Sequence, residues 1–226
     1  MDNTRPMDKP IWEPSRERAE ASNMARFLRF VRERTGNPDL LRYAPLWEFS
    51  VREPQRFWPL VWEFCGVRAS GELEPVIEHP DAMPGARFYP NIRLNFAENL
   101  LRYRDTHPAL VFRNEWGHAR ELTYAELAAQ VGRFSQALKA SGVGVGDRVA
   151  GLMPNLPETI VEMLAAATLG ATWSSTSPDF GVPGIVDRFG QIAPKVLVGI
   201  DAYPYGGKSS SNFVKCASLR RQAVFG

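Results

Sequence analysis

Through the first hundred residues the apolar positions keep helical intervals. Met24, Phe27, Leu28 and Val31 stand at i, i+3, i+4 and i+7, which is one face of an α-helix. Gly36, Asn37 and Pro38 end it. Residues 1 to about 20 are polar and proline-punctuated, and predict an extended lead-in. A second, aromatic helix is predicted over Pro54 to Phe64, with Phe57, Val61 and Phe64 on one side. Pro59 inside it removes one hydrogen bond and crowds the preceding turn, so a kink or a late start is expected. A third helix is predicted over Asn91 to Tyr103, after the turn-rich segment Pro80 to Pro90.

After Thr106 the pattern changes. Ala109 to Arg113 and Ala119 to Leu122 read as two strands around a turn, Asn114 to His118. Thr123 and Glu126 form a capping box for the helix that follows. Its buried stripe is Leu127, Val131, Phe134 and Leu138, and Gly142 is placed to cap its C-terminus. From there strands and helices alternate. Arg148 to Met153, Thr172 to Ser175 and Lys195 to Ile200 are strand-length runs, separated by helices over Pro157 to Leu169 and Pro183 to Ile192. Alternation of this kind predicts an α/β fold, a parallel sheet covered by helices on both faces. Right-handed crossovers then gather the loops after each strand at one edge, where such sheets bind ligands. The loop Thr176 to Gly181 lies there. Residues 209–226, SSSNFVKCASLRRQAVFG, show no periodicity and do not read as the next element of this domain.

Composition changes this picture little. The 226 residues are 44% hydrophobic and 23% charged, enough to bury a core. A net charge of +2 does not point to nucleic acid. The arginines between Arg16 and Arg34 are interrupted by Glu17, Glu20 and Glu33, as on a solvated helix face. Cys65 and Cys216 stand far apart and suggest no disulfide framework, which fits a reducing compartment. No apolar run approaches the roughly 20 residues needed to cross a bilayer. The N-terminus carries Asp2, Asp8 and Glu13 and no apolar signal core. A cytoplasmic protein with no nucleic-acid or membrane partner is expected.

Several motifs are imitations. Gly142, Gly144 and Gly146 follow a helix and precede a strand, the reverse of a dinucleotide loop, and read as a cap and turn. Ala202 to Ser209, AYPYGGKS, ends like a phosphate-binding P-loop. Ala202 replaces the first glycine, however, and Pro204 removes an N–H that should cradle phosphate. His79, His107 and His118 are scattered and offer no metal spacing. No G-x-S-x-G elbow occurs. Trp47, Phe49, Phe57, Trp58, Trp62 and Phe64 read as packing of the helical region against the sheet domain rather than a ligand groove.

More specific wording lies in Leu169 to Lys195, LGATWSSTSPDFGVPGIVDRFGQIAPK. With Ile11 to Pro14 (IWEP), Leu94 to Leu101 (LNFAENLL) and Gly146 to Pro157 (GDRVAGLMPNLP), it closely resembles the acetoacetyl-CoA synthetase family of adenylate-forming acyl-CoA synthetases. The resemblance covers about residues 10–208. Trp173 to Phe180 (WSSTSPDF), followed by Asp187, Arg188 and Phe189, points to the acetoacetate branch.

That resemblance implies an N-terminal helical cap over residues 1–106, similar to the acetyl-CoA synthetase N-terminal domain. Residues 107–208 would be the first parallel βαβ portion of the synthetase large domain, and 209–226 a divergent tail. It implies a ligase that joins acetoacetate to CoA through an acyl-adenylate, using ATP and Mg²⁺. CoA contacts are expected from the loop Ser177, Pro178 and Asp179 and from Tyr205, Gly206, Gly207 and Lys208. Lys208 would pair with a CoA phosphate, and Tyr205 stands where the acetyl-CoA branch has arginine. The family's ATP loop, acyl pocket and catalytic lysine have no counterpart in residues 1–208. The chain is therefore expected to be a truncated N-terminal part, without catalytic residues of its own and inactive alone. Alternatives are a ligase for another short-chain acid and a non-catalytic CoA-binding or interaction module.

Overall fold

A computed structural model describes residues 11–212; the expectations for the first ten residues and for the tail from residue 213 lie outside them. The chain divides into two compact units between Ile92 and Arg93.

The first unit is helical as far as Cys65 and continues in turns and two-residue strands. Within the segment expected to be extended, Arg16–Glu20 forms a short helix, α1. Ser15 supplies the cap, its hydroxyl accepting from the Arg18 N–H at 3.2 Å. Helix α2, Asn23–Thr35, is capped by the Ser22 hydroxyl and closed by Gly36, whose φ of 67° suits glycine. Phe27 and Val31 are buried as the spacing predicts, whereas Met24 remains exposed. Helix α3, Tyr43–Arg52, was not legible: Arg42 gives no side-chain cap, and Pro45 reads as a breaker although a first turn tolerates proline. Helix α4, Pro54–Cys65, starts at its proline and runs through Pro59. Pro59 has no N–H to offer the Gln55 carbonyl, a loss of one bond that packing offsets. Phe27, Val31, Leu40, Leu46 and Phe49 form the core, with Phe57, Val61 and Phe64 against it. The Phe27 and Phe64 rings lie 5.0 Å apart. Phe49, Phe57 and Phe64 thus serve this unit's own core, while Trp47 and Trp58 are exposed.

The second unit is the α/β portion. Helix α5 covers only Phe96–Leu100, because Asn95 caps it, accepting from the Glu98 N–H, and so fixes a later start than predicted. Strands β1 (Pro108–Arg113) and β2 (Ala119–Thr123) pair antiparallel. The Thr123–Glu126 capping box opens helix α6, Tyr124–Ala140. Both Thr123 donors hold the Glu126 carboxyl below its ordinary range. At the other end, Gly142 donates to Lys139 O and Val143 to Leu138 O, a Schellman closure with Gly142 at φ 81°.

Strands β3 (Arg148–Leu152), β4 (Thr172–Thr176) and β5 (Val196–Gly199) make a parallel sheet in the order β4-β3-β5. Helix α7, Pro157–Thr168, connects β3 to β4, and α8, Val182–Gly190, connects β4 to β5. Strand alternation divides the core. Val149 packs with Val131, Leu138, Val161 and Leu164, whereas Ala150 and Leu152 meet Ile185 and Phe189. Central β3 is buried on both faces, as its unbroken apolar run requires. Below the sheet, Lys195 Nζ bonds Gly142 O at 2.6 Å and Asp147 Oδ2 at 3.0 Å. The Gly144 N–H and then Lys195 hold the Asp147 carboxyl low.

The P-loop imitation is a hairpin, β6 (Ala202–Tyr205) against β7 (Lys208–Ser211). Gly206 and Gly207, at φ 59° and 74°, make its turn. Ser209, Ser210 and Ser211 therefore belong to a strand, although no periodicity marks them. Among the described residues no helix is long and apolar enough to cross a membrane.

Candidate functional site

The carboxyl edge of the sheet carries the loop Ser177, Pro178, Asp179 and Phe180 between β4 and α8. Ser177 Oγ donates to Asp179 Oδ2 at 2.8 Å and accepts from the Asp179 N–H at 3.2 Å. The Phe180 N–H returns to Ser177 O at 3.3 Å. These bonds fold the loop on itself, as Ser and Asp do at turns. Arg188 of α8 sits 4.1 Å above the Phe180 ring centroid, and its Nη1 donates to Gly184 O.

Tyr203 of β6 joins this loop to the hairpin. Its hydroxyl donates to Asp179 Oδ1 at 2.6 Å, a short bond to a charged acceptor. Burial first, and then the Asp179 carboxylate, push the phenol up to about 12, so it stays a donor throughout the neutral range. The hairpin turn has a second anchor, the Gly207 N–H donating to Glu115 Oε1 at 3.0 Å. Tyr205 and Lys208 face each other across the turn, and both are exposed.

Of the four expected site residues, Ser177 and Asp179 bond each other, and Tyr205 and Lys208 pair on the hairpin. Tyr203, which the sequence did not single out, connects the two pairs. Its partner stands 24 positions earlier, and no local pattern encodes that contact. Trp173 packs on Gly151 in the core rather than opening toward the loop. Chemically the site offers one exposed ammonium, an exposed phenol ring and a loop fixed by a shared carboxylate. Among the described residues no group of three His, Cys, Asp or Glu side chains is placed to hold a metal, so no residue here is assigned to Mg²⁺.

A sequence model described as "AMP-binding enzyme" matches residues 96–222. The acetoacetyl-coenzyme A synthetase of Rhizobium meliloti (strain 1021) is 49% identical over 201 residues, 89% of this chain and 31% of that protein. The acetoacetyl-CoA synthetase of Danio rerio is 36% identical over 216 residues, 93% of this chain and 31% of that protein. The solved structure of acetoacetyl-CoA synthetase from Streptomyces lividans superposes with a TM-score of 0.88 at 38% identity, covering 96% of this chain and 34% of that one. The chain spans about a third of the length of these relatives.

Proposed function

Because the chain belongs to the family of AMP-binding enzymes, we propose that it carries the N-terminal portion of an acetoacetate–CoA ligase. In that reaction ATP and acetoacetate give acetoacetyl-adenylate and pyrophosphate, and the CoA thiol then displaces AMP. The mixed anhydride makes AMP a good leaving group for the thiolate. Acetoacetate, ATP, CoA and Mg²⁺ are, in this reading, requirements of the intact ligase.

The role of these residues is to present the nucleotide end of CoA to the rest of the enzyme. The observation that carries this is the hydrogen bond from Tyr203 to Asp179, which couples the Ser177–Phe180 loop to the hairpin bearing Lys208. Lys208 supplies a charge-assisted contact to a CoA phosphate, and Tyr205 supplies a ring face without charge. Ser177 and Asp179 act as positioning residues. The Ser177 hydroxyl and both Asp179 oxygens are engaged within the protein, and a carboxylate would repel phosphate. Two widely spaced cysteines without a disulfide pattern support a cytoplasmic, reducing compartment.

A chimera tests the assignment. Residues 11–212 would replace the corresponding segment of the Streptomyces lividans enzyme, and AMP release would be followed with acetoacetate or acetate. Acetoacetate-dependent turnover with acetate disfavoured is expected. A folded chimera that prefers acetate, or turns over neither acid, would count against the reading.

A further inference from the structure

The groove between α6 and α7 contains a carboxyl that neither the fold nor the candidate site uses. A cavity of about 380 Å³ opens there, lined by Gln130, Arg133 and Phe134 of α6 and by Glu158, Val161 and Glu162 of α7. That volume suits a small organic molecule. Glu162 is only 6% exposed, and its Oε2 is shut away from solvent without a hydrogen-bond partner. Native proteins seldom leave such an atom unpaired without a reason. Glu158 stands one turn earlier and pairs with Arg120 Nη2 of β2 at 2.6 Å. Arg133 is exposed at the rim and pairs with neither carboxylate.

We propose that this groove binds a small primary amine, whose ammonium group is held by Glu162 and Glu158 and whose alkyl chain lies along Phe134 and Val161. An ammonium carries three donors and no acceptor, which complements the Glu162 carboxyl where it lines the groove. The half-buried Phe134 ring adds an apolar wall with a negative face toward a cation. Burial, and then the Glu158 charge, raise the Glu162 carboxyl to about 7. An ammonium favours its ionised form, so binding strengthens as pH rises through that value. The charged groups around it are Arg133 on α6, Glu158 on α7 and Arg120 on β2, and the last is already paired.

The test is calorimetric titration of the full chain with n-butylammonium between pH 6 and 8, with n-butanol as the neutral control. Saturable single-site binding is expected, about tenfold tighter at pH 8 than at pH 6, with no binding of butanol. Glu162→Gln should weaken binding at least about tenfold and flatten its pH dependence. Arg133→Ala removes a like charge from the rim and should tighten binding, which keeps the test open if the Glu162 variant misfolds. Absence of saturable binding at any pH, equal binding of butanol, or an unchanged pH profile in Glu162→Gln would overturn the proposal. Tighter binding of Nα-acetyl-lysine amide than of butylammonium would transfer the site to a protein lysine and overturn the small-amine assignment.

Discussion

Glu162 is the one charged side chain among the buried residues of α7, and its position sets a sign for stability. Its carboxyl titrates near 7 in the folded chain against an ordinary value of 4.5. Between those values the folded state binds more protons than the unfolded state, so stability falls as pH rises from about 4.5 to 7 and then levels off. Screening by solvent in the groove leaves an effect on the order of 2 kcal/mol. Urea melts at pH 5 and pH 8 should show that decline in the native sequence and lose most of it in Glu162→Gln. A second residue-scale outcome concerns Lys208. In the active chimera, Lys208→Ala should raise the KM for CoA roughly three- to tenfold, the cost of a solvent-exposed charged contact. Its ATP–pyrophosphate exchange should stay unchanged, since adenylate formation precedes CoA. The loop Thr176 to Gly181 was legible as a strand-end loop, whereas Ser177 and Asp179 within it were named through the family resemblance alone. Glu162 was not legible, because a glutamate between helical turns reads as solvent-facing until the groove beside α6 is built.

At the scale of elements, the α/β alternation was readable because the strand-length runs of β3 and β5 are apolar and alternate with helical patterns closed by Gly, Pro or a capping pair. The capping box of α6 illustrates how local that information is: Thr123 and Glu126 satisfy two orphan N–H groups within one turn. Thr123→Ala should cost about 1 kcal/mol, read as a lower urea midpoint with an unchanged slope. Helices α1, α3 and α5 were harder to read. α1 and α5 are single turns set by one cap each, and α3 has no side-chain cap. Its existence depends on Leu46 and Phe49 reaching the core, a tertiary cause without a local mark. Gly151 carries the same lesson into the sheet. A Cβ there would stand 2.4 Å from the Trp173 ring, across the paired strand. Gly151→Ala should therefore destabilise the sheet by about 1–3 kcal/mol through overpacking, with Trp173 fluorescence reporting the displaced indole.

For the whole molecule, the arrangement of the sheet governs behaviour in solution. β3 is paired on both sides, whereas among the described residues β4 and β5 each pair on one side only. An open edge offers unpaired N–H and C=O groups to another chain. Proteins often guard such edges with charged side chains, but β5 reads Val196, Leu197, Val198 and Gly199, and its three apolar side chains are only half-buried. Exposed Val111, Val145 and Phe180 add apolar surface to the same unit. The chain should therefore self-associate: its mass by light scattering should rise between about 5 and 200 μM, driven by edge pairing and apolar contact. The ligase reading adds a second outcome, because relatives about three times as long have further chain with which to cover these edges. In the chimera the concentration dependence should disappear while the sheet residues stay the same. A chain that remains monomeric over that range and melts cooperatively would overturn the open-edge argument. Concentration-dependent association in the chimera as well would separate it from the ligase reading, by tracing the association to another surface.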